Sequence, residues 1–212
     1  MGTQTKNDVK NVTSAQPDIA GAIYRAPLGT VVPNNAYSDL DAAFKNLGYV
    51  SDDGLTNSNS PETETKKAWG GATILTSQTG RPDTLKYKLV EALNVDVLKS
   101  VYGDNAVTGE LETGITVDAN NKQLPGSCYV VDMVLKDDSL KRIVIPNATL
   151  TSLGDVVYKD GEIVGYEVTL TALPDETGST HKEYIISAEG AKKLNPQAEA
   201  KTTKSKGVTN YE

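Results

Sequence analysis

Side chains that carry chemistry are scarce in this chain: one cysteine, one histidine, one tryptophan and one phenylalanine occur among 212 residues. A single cysteine excludes an intramolecular disulfide framework and a cysteine-ligated zinc cluster, so the fold stands without covalent or metal staples and fits a reducing compartment. Residues 1–20 lack the apolar stretch of a secretory signal, and no later run approaches the roughly 20 apolar residues of a membrane span. The expectation is a soluble, cytoplasmically made chain with no membrane partner. Met1-Gly2 opens like a myristoylation signal, but Lys6 stands where that signal requires Ser or Thr.

Basic charge is also short. Lys and Arg number 21 against 28 Asp and Glu, for a net charge of −7. That balance opposes a surface built to grip phosphates by counterion release, though it also serves ordinary solubility.

Catalytic constellations are missing. Triad chemistry would have to use His181, yet no Gly-x-Ser-x-Gly elbow surrounds any serine, and His181 reads as an exposed strand histidine. Cys128 opens a strand with no basic neighbour to activate it and reads as a packing residue. Gly70-Gly71 lacks the flanking glycines and downstream lysine of a phosphate-binding loop. Asp52-Asp53 and Asp137-Asp138 sit beside turn residues, where Asp bonds the backbone, and neither matches a calcium loop. The sequons at Asn11 and Asn147 have no signal peptide to bring them to glycosylation machinery. No enzyme, cofactor or metal site is expected.

What is plentiful is glycine, threonine, asparagine and tyrosine, with 18 Gly and 10 Tyr in a chain that is 38% hydrophobic. This composition favours strands and turns. One domain over 19–187 is expected, between a flexible arm at 1–18 and a flexible tail at 188–212. Strand-like runs fall at 19–24 and 28–32. Ser38 and Asp41 resemble a capping box, Ala42, Ala43, Phe44 and Leu47 follow at helical spacing, and Gly48 can end a short helix over 39–47. Residues 49–82 lose apolar density and read as a hairpin-like excursion. Within it, Trp69 is a large aromatic on a polar loop, suited either to anchoring a partner or to folding back on its own domain.

Alternation of Leu85, Tyr87 and Leu89 with Thr84, Lys86 and Lys88 predicts a strand that runs into a helix at 94–102. Asn94 caps that helix, Val97, Leu98, Val101 and Tyr102 form its apolar stripe, and Gly103 closes it. Further strands are expected at 115–117, 127–136, 140–145, 149–158, 162–172 and 181–187, with turns at 136–139 and at Lys159-Asp160-Gly161. The fold class is mostly β: an antiparallel β-sandwich or barrel-like fold with one flanking helix.

Four passages carry a resemblance: GAIYRAPLGTVVP (21–33), LDAAFKNLGYVSDDGLTNS (40–58), KAWGGATILTSQTGRPDTLKYKLVEALNVDVLKSVYG (67–103) and LKRIVIPNATLTSLGDVVYKDGEIVGYEVTLTALPD (140–175). Over about 20–187 the chain resembles the major tail tube proteins of siphophages that infect Gram-positive bacteria. The resemblance implies a virion protein whose copies close into hexameric rings that stack into a tube. It also implies that inner strands join into a barrel around the lumen, through which DNA passes without specific binding. Its partners would be other copies of itself, the tape measure, the tail terminator and the distal tail protein. On that reading the excursion supplies inter-subunit contacts, with Asp52, Asp53, Leu55, Asn57, Glu62, Glu64, Lys66 and Trp69 as candidates. The competing readings are a ligand-binding β-sandwich, an enzyme with an unfamiliar site, and another ring-forming phage component such as a tail terminator or capsid decoration protein.

Overall fold

The computed structural model describes residues 7–18 and 21–195. In chain order the first elements are β1 (Ala15–Pro17), β2 (Ile23–Pro27), β3 (Lys45–Asn46), β4 (Val50–Asn59), β5 (Glu62–Lys67), β6 (Thr73–Gly80) and β7 (Asp83–Leu89). Then come α1 (Val95–Tyr102), β8 (Val107–Thr108), β9 (Thr116–Val117), β10 (Ser127–Leu135), β11 (Leu140–Leu153), β12 (Tyr166–Ala172), β13 (Lys182–Ile186) and α2 (Ala188–Leu194). The chain is mostly β, its ladders are antiparallel, and the main sheet is open.

Nine strands share that sheet, in the order β3-β2-β10-β11-β12-β7-β4, with β1 added on β10 and β13 on β11. Alternation places the core. In β7 and β12 every second side chain is buried, from Asp83 to Leu89 and from Tyr166 to Ala172. All of them except Asp83 meet Ile23, Leu47, Tyr129, Val131, Ile143 and Ile145 and the Val97, Leu98 and Val101 stripe of α1 in one apolar cluster. Helix α1 begins as its sequence dictates: the Asn94 side chain accepts from the Asp96 amide, and the Gly103 amide donates to the Lys99 carbonyl at the other end. Tyr102 meets Tyr166 edge to face, ring centroids 6.0 Å apart.

The opposite face carries a smaller cluster of Ala26, Phe44, Cys128, Val130 and Val144, covered by the segment between β2 and β3. Arg142 fastens that cover. Its Nε and Nη2 donate to the two carboxylate oxygens of Asp132 at 2.6 and 2.8 Å, and its Nη1 donates to the carbonyls of Asn35 and Ser38.

This arrangement corrects the short helix at 39–47. Asp41 makes a single turn, its side chain accepting from the Ala43 amide and its carbonyl from the Phe44 amide, after which Lys45 and Asn46 pair with Arg25 and Tyr24. A helix would put Phe44 and Leu47 on one side, whereas here they enter the clusters on opposite faces of the sheet. The run at 28–32 is likewise a turn and coil, with the Thr30 amide donating to the Pro27 carbonyl. The strands expected at 140–145 and 149–158 are one long β11 that stops at Leu153, and residues 154–165 form a loop in which Lys159–Glu162 keep the expected turn. Pro146 fits inside β11 because its missing donor falls at the register irregularity opposite Ser127–Tyr129. Asp137 and Asp138, at φ 59° and 55°, make the tight β10–β11 turn.

Candidate inter-subunit surfaces

Residues 50–89 form one long ribbon. Its base is the β4–β7 ladder, from Val50 opposite Leu89 to Asn59 opposite Asp83. Its arm is the separate β5–β6 ladder, from Glu62 opposite Gly80 to Lys67 opposite Thr73. Pro61 and Pro82 stand at the junction, where a residue without an amide donor interrupts pairing between the two ladders. At the tip the Ala68 amide donates to the Ala72 carbonyl, and Gly70 and Gly71 take positive φ of 101° and 90° that a side chain would oppose.

Every residue of β5 is exposed, and so is nearly all of β6. Both faces of the arm therefore meet solvent. Trp69 at the tip is 105% exposed, as much as in an open chain, and Ile74 and Leu75 beside it are 68% and 51% exposed. A two-stranded ribbon wet on both faces is only marginally stable in water.

The root of the arm is held firmly. The Asp83 carboxylate has no solvent exposure and accepts from Thr180 Oγ1 and His181 Nδ1 at 2.5 Å and from Asn57 Nδ2 at 2.8 Å. Burial by itself pushes the Asp83 pKa up, but these three donors together hold it below its ordinary value. His181 is thus a mostly covered residue just before β13, where sequence reasoning expected an exposed strand position.

At the other end of the same ladder, past Leu89, lies an open groove of about 530 Å³ lined by 90–94 with Ile163 and Val164. Leu93 and Ile163 on it are 67% and 72% exposed. Among the lining residues is Glu91, whose carboxylate accepts from the Tyr49 amide and from Asn94 Nδ2, both at 2.9 Å.

The sequence-chosen contact residues separate into three roles. Asp52 and Asp53 are exposed in a bulge of β4 between Val50 and Leu55, with Gly54 at φ 70°. Leu55 packs against the main core and Asn57 serves the Asp83 cluster, so both act within the chain. Glu62, Glu64, Lys66 and Trp69 lie on the projecting arm. Sequence reasoning missed Ile74, Leu75 and the groove. The signal for Ile74 and Leu75 was an apolar pair inside an otherwise polar strand, whereas the groove joins segments about 70 residues apart and had no local signal.

Cys128 is buried, its thiol donating to the Pro146 carbonyl at 3.0 Å, and burial pushes its pKa up, away from a reactive thiolate. Among the described residues no group of three or more His, Cys, Asp or Glu is placed to hold a metal, and no helix is long and apolar enough to cross a membrane.

A family model described as phage tail tube protein matches residues 5–195 of the chain. No curated protein matches it.

Proposed function

The chain belongs to the phage tail tube protein family, and from that premise we propose that its copies close into hexameric rings which stack into the tube of a long, flexible siphovirus tail and form the conduit for DNA ejection. Family membership makes it a structural component of the virion tail, one that assembles with itself and with other tail proteins. In the proposed tail those others are the tape measure inside the tube, the terminator at one end and the distal tail protein at the other. The assignment to a phage of a Gram-positive host rests on the sequence resemblance.

The observation that carries the proposal is the β5–β6 arm: a ribbon exposed on both faces and ending in a fully exposed Trp69. Inside one subunit it buries nothing. Such an element gains stability only by lying on another subunit, which is how a ring or stack is joined. The open main sheet supports the same reading, because its end strands β3 and β4 leave edges that neighbouring copies can pair. A chain of net charge −7 suits a lumen that repels phosphates and lets DNA slide.

The test is negative-stain electron microscopy of the purified protein beside a variant in which 62–80 are replaced by Asn-Gly. The cut spares 56–59, which pair with β7. Hollow tubes from the parent and a folded, non-assembling variant are expected. Tubes of normal width from the trimmed variant would refute the role of the arm, and a tube map with Asp and Glu mainly on the outer wall would refute the acidic lumen.

A further inference from the structure

Among the uncovered apolar features of the described residues are the Trp69 tip and the groove at Leu93 and Ile163. They lie at opposite ends of one strand ladder. Along β7 the Asp83 end leads into the arm, whereas Leu89, paired with Val50 and Tyr166, leads into the groove. The arm carries its tip further away, because the eight residues of β6 span about 26 Å at the usual rise of a strand. The tip of a chain does not occupy its own groove, since Trp69 is fully exposed and is not among the residues that line it.

We propose that this groove is the seat for the Trp69 tip of a second copy, in a head-to-tail contact that repeats along the strand direction. The inference rests on the tail tube reading and adds the receiving surface to it. Charge agrees with the match. Lys66 and Lys67 precede the tip, Glu91 lies in the groove, and the loop that carries Ile163 also holds Asp160 and Glu162, against the one cation Lys159 that pairs with Glu162. Shape agrees as well, since an open groove of about 530 Å³ has room for an indole ring. A contact between two different patches does not close on itself as a two-fold dimer does, and when repeated along the strand direction without a closing rotation it generates an open-ended stack. A large aromatic entering an apolar pocket with a charged rim is also the usual composition of an interface hot spot.

Trp69 is the chain's only tryptophan, so its fluorescence reports the contact directly. On assembly the emission of the parent protein should shift to the blue as the indole leaves water. Ile163→Asp, at an exposed position that leaves the monomer folded, should keep the emission red and raise the concentration needed for assembly at least tenfold. A second experiment keeps Trp69 and the groove's lining residues in place: Lys67→Cys and Glu162→Cys chains are mixed, assembled and oxidised, with the buried Cys128 out of reach. A cross-linked pair of chains on a non-reducing gel is expected. The inference is overturned if Ile163→Asp assembles with the full blue shift, or if tubes of the cysteine variants remain uncross-linked. A parent protein that never assembles, even when seeded with tail-tip complexes, would instead refute the tail tube reading and with it the seat.

Discussion

His181 Nδ1 donates to Asp83 Oδ2 at 2.5 Å across a separation of 98 residues, tying the segment before β13 to the root of the projecting arm. The only histidine of the chain thus serves to aim a ribbon. The carboxylate is buried and saturated, with Thr180 and Asn57 as its other donors.

Asp83→Asn should destabilise the monomer by about 3 kcal/mol, because a buried acceptor becomes partly a donor facing donors. The sign of the pH effect follows from the lowered pKa of Asp83. A carboxylate with a depressed folded pKa contributes fully above the unfolded value near 3.8 and loses that contribution as pH falls through the lower folded value. Urea unfolding from neutral pH downward should show a parent stability that falls with acid in this window, and a variant that lacks that part of the slope.

Arg142→Met should cost about 3–5 kcal/mol, since it strands the covered Asp132 carboxylate. It also releases the carbonyls of Asn35 and Ser38, so limited proteolysis should cut between residues 34 and 44 in the variant first. Replacing Arg142 and Asp132 together by apolar residues should recover a large part of the urea-midpoint loss. If the double variant is no better than the single one, the penalty does not come from the stranded charge.

Gly48→Ala should act at the groove. Gly48 has φ +71°, and an added Cβ would stand 2.0 Å from the Glu91 carboxyl carbon. Left-handed backbone alone costs an alanine roughly 1–2 kcal/mol. The displaced Glu91 also gives up its bonds to Tyr49 and Asn94, so assembly should weaken by more than the thermal stability of the monomer. Light scattering and thermal unfolding on one sample separate the two effects.

Trp69→Ala should leave the urea midpoint of the monomer within about 0.5 kcal/mol of the parent, because a fully exposed side chain has no burial to lose. Tube formation should fall sharply under the same conditions. A variant that assembles as well as the parent would overturn the Trp69 seat.

Local pattern made much of this molecule legible. Leu85, Tyr87 and Leu89 alternate, and so do Tyr166, Val168 and Leu170; both sets are core-facing in β7 and β12. Asn94 and Gly103 bound α1 because capping is a matter of the nearest few amides. Low apolar density at 49–82 marked a segment of which only 62–80 leave the core, since 50–59 form the edge strand β4 with Val50 and Leu55 packed against it, and Trp69 stood out in the part that leaves. These features need only neighbours in sequence, so the sequence by itself determined them.

Tertiary structure decided the rest. At 39–47 helical spacing lost to two separate apolar sites, which took Phe44 and Leu47 on opposite faces of the sheet. Leu140–Leu153 became one strand because β13 and β12 cover its two halves in succession, a choice no local signal encodes. Helix α2 (Ala188–Leu194), within the segment read as a tail, is capped by Ser187 and buries Ala191, and residues 196–212 lie outside the described part of the chain. The Asp83–His181 tie and the groove between Leu93 and Ile163 join residues far apart in sequence. Periodicity states which face of an element is apolar; only the folded chain decides which distant surface that face meets, and which faces are left for another copy.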